Sequence, residues 1–332
     1  HPLKPLVQQL EPCCILELTT SILLRHEHLL ELKVYLENYL INYLVREQQL
    51  VEHLVALLAN HQAGAQRRAA RALRDLAANP EFKMVYAEQG GIEAMVALSG
   101  ERELDLATLA QAALRHLSLN DDLKKPIVDG GAVLHVLRNV DRATEDLACQ
   151  CGGLIANLSE NAENQITLVE EHTVPALVTL ARAENDEVQQ DCARALCNLS
   201  SNEENHTVIY RQGGLQSLVD LTQSTEDVCQ RYAAMGIGNL ATNMANQEKI
   251  LQEGALMQLI SLANCDNGDR ESQRYAVFAL NNVSATRYNH PQLVEAGCVA
   301  LFARLMEHDD LEIRNSSFFG IANLSANAAN HT

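Results

Sequence analysis

Residues 164–203 read NQITLVEEH, TVPALVTLARAE and NDEVQQDCARALCNLSSNE, and the third of these stretches decides the fold. In it Val188, Cys192, Ala195, Leu196 and Leu199 recur at helical spacing, and Asn185 or Asp186 stands where an N-cap belongs. Small residues such as Ala193 and Ala195 let neighbouring helices approach closely. The middle stretch sends Leu177, Val178 and Leu180 inward. Its Pro175 lies near the helix start, where an N–H would be unpaired anyway. The first stretch is a short helix, so the unit is three helices. The unit recurs. Aligning Asp75, His116, Asn157, Asn198, Asn239, Asn282 and Asn323 gives steps of 41 residues, except for 43 between 239 and 282. Leu54, Met95, Val136, Leu177, Leu218, Leu259 and Phe302 form a second ladder with the same period and the same slip. Two columns sharing one irregularity indicate stacked supersecondary units, each packing on its neighbours.

Glycine stands between first and second helices in most repeats: Gly90 and Gly91, Gly130 and Gly131, Gly213 and Gly214, Gly254, Gly297. A sharp corner there needs positive φ or close backbone contact. Asn79, Asn120, Asn161, Asn202, Asn243 and Asn327 lie four residues past the ladder position and either close the third helix or cap the next. Residues 1–46 are expected to be a lead-in with Pro2, Pro5 and Pro12, followed by a helical cap that carries Leu29, Leu32, Leu36, Tyr39, Leu40 and Tyr43. Seven repeats are expected over 47–326, with 327–332 beginning another. A start at His1 and a stop at Thr332 read as a fragment or a processed form.

The net charge of −18 argues against a dedicated nucleic-acid binder, which needs clustered Lys and Arg, and confers solubility. Nine cysteines, an odd number spread among small apolar residues, read as reduced thiols in a cytoplasmic protein. Leu29 to Leu44, the most apolar run, is broken by Glu31, Lys33 and Glu37, so no transmembrane segment is expected. Catalytic pairings are not found. His26, Glu27 and His28 lack metalloprotease spacing, Cys149 and Cys151 do not face each other on a helix, and no serine sits in a G-x-S-x-G elbow. No enzyme activity, metal or cofactor is expected. Gly152 and Gly153, inside a third helix, suggest a bend or a close approach, and Cys13 and Cys14 are a candidate for palmitoylation against the reading of two ordinary buried thiols.

A glycine-cornered unit of about 41 residues, GG-x-x-x-LV-x-L followed by V-Q-x-x-A-x-x-AL-x-NLS, resembles the armadillo family over residues 47–332. QRYAAMGIGNLATNMANQEKILQEGAL (230–256) and ALCNLSSNEENHTVIYRQGGLQSLVDL (195–221) are most similar to its vacuolar-membrane adaptor branch, and also to axonemal members. The resemblance implies an all-α, right-handed superhelical solenoid whose third helices line a concave groove, with the ladder Asn gripping an extended partner backbone. Nuclear-import members carry Trp four residues before that Asn. Here the positions hold Arg71, Ala112, Gly153, Arg194, Met235, Phe278 and Phe319, which speaks against import-signal recognition.

Helical geometry locates the same face independently. At about 100° per residue, positions four, seven and eleven before the ladder residue lie within about 40° of it, opposite the apolar side. The ladder Asn should then form an exposed column, able to offer donor and acceptor to a backbone. The first repeat presents Arg67, Arg68, Arg71 and Asp75, and the last three present Tyr232, Met235, Asn239, Tyr275, Phe278, Asn282, Phe319 and Asn323. Arg194, Arg231 and Arg274 lie on or beside the face, as do Asn157 and Asn198. These residues, with only Arg71 from the first repeat, are the expected partner-binding set, and Arg with aromatics suggests acidic segments carrying apolar anchors. The plainer reading is that the tyrosines fill gaps between helices and the Asn ladder bonds adjacent repeats. The expected function is a noncatalytic protein–protein adaptor, cytoplasmic, with peripheral membrane or cytoskeletal association through the ends. The alternatives are a structural part of a cytoskeletal or axonemal assembly and the targeting module of a larger enzyme.

Overall fold

The computed structural model describes residues 40–46, 49–59, 63–265 and 269–327, and every element in them is helical. The expected lead-in and most of the cap, with Cys13, Cys14, His26, Glu27 and His28, lie outside the described residues. The chain divides into two compact units, residues 1–95 and 96–332. In the first, residues 40–46 are helical and are followed by α1 (Leu50–Leu58), α2 (Ala63–Ala78), α3 (Lys83–Glu88) and α4 (Gly91–Ser99), the last crossing the division. Gln89 ties this unit together: its Nε2 donates to Val45 O at 2.8 Å, and its Oε1 accepts from Val51 N at 3.1 Å.

The second unit continues with α5 (Leu104–Leu117), α6 (Asp121–Asp129), α7 (Ala132–Val140), α8 (Glu145–Ser159), α9 (Ala162–Glu170), α10 (Thr173–Leu180) and α11 (Asp186–Ser200). After a 3-10 turn at Glu203–Asn205 come α12 (His206–Arg211), α13 (Gly214–Leu221), α14 (Asp227–Ala241), α15 (Met244–Gln252), α16 (Ala255–Ala263) and α17 (Arg270–Ser284). A second 3-10 turn, Arg287–Asn289, leads to α18 (His290–Glu295), α19 (Cys298–Leu305) and α20 (Leu311–Ser325). The third helices α5, α8, α11, α14, α17 and α20 pack against one another in chain order. The two extra residues of the 43-residue step lie between Leu259 and Asn282, the stretch in which both ladders slip.

Residue type explains each boundary. Asn185 caps α11, its side chain accepting from Val188 N at 3.0 Å. The repeat-end asparagines cap the following helix: Asn120, Asn161, Asn202 and Asn243 each accept from the N–H two residues on. The carbonyls that end the third helices are met by a dipeptide in the next first helix, a pattern that the sequence reading did not single out. Asn164 and Gln165 donate to Leu158 O and Ser159 O at 3.2 and 3.1 Å, and Asn246 and Gln247 to Leu240 O and Ala241 O at 3.2 and 2.9 Å. Histidine takes the glutamine's place twice, His206 Nε2 on Ser200 O and His290 Nε2 on Ser284 O, both at 2.8 Å. A buried carbonyl needs such a donor. Leu177, Val188, Leu196 and Leu199 are fully buried, each side chain stabilising by about 1.5–3 kcal/mol.

The helix corners separate the two roles expected of glycine. Gly254 has φ 84° with nothing within 4 Å of a built Cβ, so only the left-handed backbone demands it. Gly214 has ordinary φ, but its Cβ would lie 2.7 Å from Ile209 Cγ2, so packing demands it. In the fourth repeat His172 holds the left-handed corner at φ 65°. Gly254→Ala is therefore expected to fold with unchanged helix content and lose about 1–2 kcal/mol to backbone strain alone. The denaturant midpoint, compared with that of Gly254→Asn, which tolerates the left-handed region better, checks this.

Candidate functional site

The third helices carry the site, and the ladder asparagines are its most ordered part. Asn198 Nδ2 donates to Ser159 Oγ at 3.1 Å, and that hydroxyl donates on to Ala156 O at 2.8 Å. Asn239 repeats this on Ser200 (3.2 Å), Asn323 on Ser284 (3.0 Å) and Asn157 on Ser118 (3.0 Å). The serine is the S of the preceding N-L-S segment, of H-L-S in the second repeat, or of N-V-S in the sixth. Where the fifth repeat has Ala241 instead, Asn282 Nδ2 reaches only a carbonyl, Gly238 O at 3.2 Å. The expected exposed column is thus corrected. Asn157 is 3% exposed, Asn198, Asn239, Asn282 and Asn323 are half-buried, and the donor side of each is committed to the preceding repeat. Only the Oδ1 of the last four stays without a partner among the described residues.

The arginines are also occupied. Arg194 bonds Glu160 at 2.6 Å, Asp191 at 2.9 Å and Asn157 Oδ1 at 3.0 Å. Arg231 holds Asp269 with two hydrogen bonds, at 3.0 and 2.8 Å. Arg274 bonds Asp310 and Glu271 at 2.8 and 2.9 Å and lies 3.2 Å from Glu312. Its hydrogen bond, assisted by the backbone N–H groups of Ile313 and Glu312, lowers Asp310 to about 2. Arg71 is exposed and lies in the first unit. Burial raises the Tyr275 phenol.

The aromatic end of the face comes together as expected from the helical geometry. Met235, Asn239, Arg274, Tyr275, Phe278 and Phe319 line one open cavity of about 520 Å³, across α14, α17 and α20. Four further residues complete it: Asn281, Glu312, Asn315 and Ser316. Ser316 and Glu312 occupy the seven-before and eleven-before positions of the last repeat, so the periodicity already pointed to them, whereas attention to aromatics passed them over. Phe278 sits against Gly238, whose Cβ would lie 2.8 Å from the ring. Tyr232 lines a separate hollow of about 390 Å³ with Glu160, Gln190, Asp191, Arg194 and Val228. Asn157, Asn198, Arg231, Asn282 and Asn323 line neither cavity.

Residues 161–201 match the sequence profile of the armadillo/β-catenin-like repeat. An engineered protein known from a crystal structure is 28% identical, with a TM-score of 0.76 over 83% of this chain and 68% of its own. A computationally designed armadillo repeat protein for modular peptide recognition is 24% identical, with a TM-score of 0.66 over 70% of this chain and 99% of its own. The chain folds as an armadillo-repeat solenoid. The repeat match and these likenesses support the armadillo-repeat family. A further designed armadillo repeat protein, solved in complex with the peptide (KR)4, is 22% identical with a TM-score of 0.54, over 82% of this chain and 99% of its own. No curated protein matches the chain.

Among the described residues no group of three or more His, Cys, Asp or Glu could hold a metal ion, and no helix is long and apolar enough to cross a membrane. Cys151 and Cys197 are pushed up to about 12 by burial, so they are packing groups rather than nucleophiles. Gly153 serves close approach, since the Arg115 side chain occupies the space of a Cβ there, whereas a Cβ at Gly152 would meet Asp191 Cβ at 3.6 Å, an ordinary contact.

Two outcomes follow from this armadillo face. Ser200→Ala leaves the half-buried amide of Asn239 with only its longer contacts to Cys197 O and Ser201 Oγ, at 3.4 and 3.5 Å, and is expected to cost about 0.5–1.5 kcal/mol. The shift of the denaturant midpoint measures it, and a shift below a few tenths of a kcal/mol would remove the relay as a stabilising element. Asp310 titrates below the ordinary 3.8, so its contribution to stability is complete above that value and is lost as pH falls toward about 2. Arg274→Met is expected to raise the Asp310 titration toward 3.8 without reaching it, since two backbone N–H groups still bond the carboxylate. Carboxyl carbon NMR titration reads this directly.

Proposed function

We propose that the protein is a noncatalytic interaction scaffold that holds an extended segment of a partner protein on its third-helix face. The observation that carries this is the cavity of about 520 Å³, with Met235, Tyr275, Phe278 and Phe319 as its apolar walls and asparagines on its rim. Phe319 is 57% exposed, an aromatic surface that a partner side chain would cover. Asn239 Oδ1 faces no partner in the chain and is an acceptor for a backbone N–H. Buried free thiols at Cys149, Cys151, Cys192, Cys197, Cys229 and Cys298 fit a reducing, cytoplasmic setting.

The acidic character expected of the partner does not fit the arginines. Each of Arg194, Arg231 and Arg274 is already neutralised by carboxylates of the chain. The apolar anchor fits and is retained. Because the ladder asparagines staple repeats together, replacing them would confuse lost recognition with lost structure. Phe319 is the better probe. The immobilised chain should enrich binders from a display library of random 12-residue peptides, and Phe319→Asp should weaken the enriched peptides at least 10-fold, about 1.4 kcal/mol. A chain that enriches nothing, or a variant that binds the same peptides equally, would sink the scaffold reading.

A further inference from the structure

The third-helix face of the second unit is not uniform. In its middle, Arg115 of α5 runs across Gly153 of α8 and reaches α11, where its Nη2 bonds Glu187 at 2.8 Å and Asp191 at 3.2 Å. Asp191 also holds Arg194, which holds Glu160, and Glu160 in turn bonds Lys124 at 2.7 Å. One ionic chain thus spans the second to fourth repeats over the positions where a partner would lie. Gly153 makes room for it, since any side chain there would displace the guanidinium. The side chain of Asp191 is 10% exposed. A partner entering here would strip a buried carboxylate of its cations, and breaking such pairs is strongly unfavourable.

The last three repeats are the opposite case. Their face is apolar, and Asn239 Oδ1, Asn315 and Ser316 have side-chain polar atoms with no partner among the described residues. Arg274, the one cation lining this cavity, is surrounded by Glu271, Asp310 and Glu312, which leaves two carboxylates in excess. Glu312 is a wall of the cavity and, although 3.2 Å from Arg274, is 68% exposed, so an incoming cation can reach it.

We propose that the groove is partitioned: its central sector is closed by the chain's own arginines, and a partner engages only α14, α17 and α20, through a short extended segment of a protein that pairs a bulky apolar anchor with a Lys or Arg. This rests on the scaffold reading above. Three helices at 8–10 Å spacing span roughly 16–20 Å, which an extended strand covers in about six residues. The charge excess around Arg274 selects a cation beside the anchor and rejects an acidic one.

The peptides enriched from the 12-residue library supply the test, measured by isothermal titration calorimetry. The expected result has four parts: a common core of about six residues with an apolar anchor and a cation; less than two-fold change in affinity for Arg115→Gln; the same for Glu187→Gln, a mostly exposed position that guards against misfolding of the first variant; and at least five-fold weakening by Glu312→Arg. Cores that carry Asp or Glu beside the anchor, cores that fill all twelve positions, or a five-fold loss in either central variant would overturn the partition while leaving the scaffold reading standing. A library that yields no binder overturns both.

Discussion

The hydrogen bond from four ladder asparagines, Asn157, Asn198, Asn239 and Asn323, to the serine hydroxyl of the preceding repeat is the constraint on which the rest of the second unit depends. It joins consecutive third helices at one fixed point per repeat, and the hydroxyl passes the bond on to a carbonyl within its own helix. Apolar contacts alone would let neighbouring helices slide, because the hydrophobic effect is non-directional. The relay is directional, and it is satisfied at only one register. It also commits the amide donor of these asparagines to the preceding repeat and leaves the Oδ1 of Asn198, Asn239 and Asn323 without a partner among the described residues. A side chain so committed offers an acceptor only.

The same logic governs the charges. Third helices begin with carboxylates, Glu145 and Asp146, Asp186 and Glu187, Asp227, Glu271, Glu312, which suit the positive end of a helix. Arginines on the same face therefore find carboxylates within one or two repeats and pair with them: Arg115 with Glu187, Arg231 with Asp269, Arg274 with Asp310. Helix electrostatics consume the cations before any partner arrives. What remains unpaired on the face is apolar and amide surface, and it is concentrated at one end.

The repeat period, the helix caps and the corner glycines were legible because each follows from local chemistry that recurs in the sequence. Asn185 caps α11 as its residue type requires, and the two-residue slip shows in both ladders at once. The aromatic cavity was legible too, since Met235, Tyr275, Phe278 and Phe319 share a face by the geometry of 3.6 residues per turn. What the sequence concealed was partnership. Nothing in the order of residues says that Arg115 crosses two repeats to reach Glu187, 72 positions away. Nor does it say that the serine of N-L-S serves the asparagine of the next repeat, 39 positions on, although the coincidence of Ala241 with the bare carbonyl contact of Asn282 makes the rule visible afterwards. The exposed Asn column was misjudged for this reason: helical angle gives direction, and occupancy depends on what the neighbouring repeat supplies.

A stacked repeat leaves few positions for function, and the second unit shows which ones. The ladder residue, the serine two places on, the corner and the carbonyl-capping dipeptide are all spent on joining one unit to the next. The positions four and seven before the ladder differ in type from repeat to repeat, and where they bond across repeats, as Arg194 does to Asn157 Oδ1, the contact belongs to that pair and is not part of the recurring joint. In this chain they hold Gly153, Gln150, Arg194 and Asp191 in the middle repeats, and Met235, Tyr232, Phe278, Tyr275, Phe319 and Ser316 in the last three. Ionic closure and aromatic opening are thus two settings of the same two columns. Gly238 shows that the opening is built rather than left over, because the ring of Phe278 reaches its place in the cavity wall only where the preceding repeat has no Cβ.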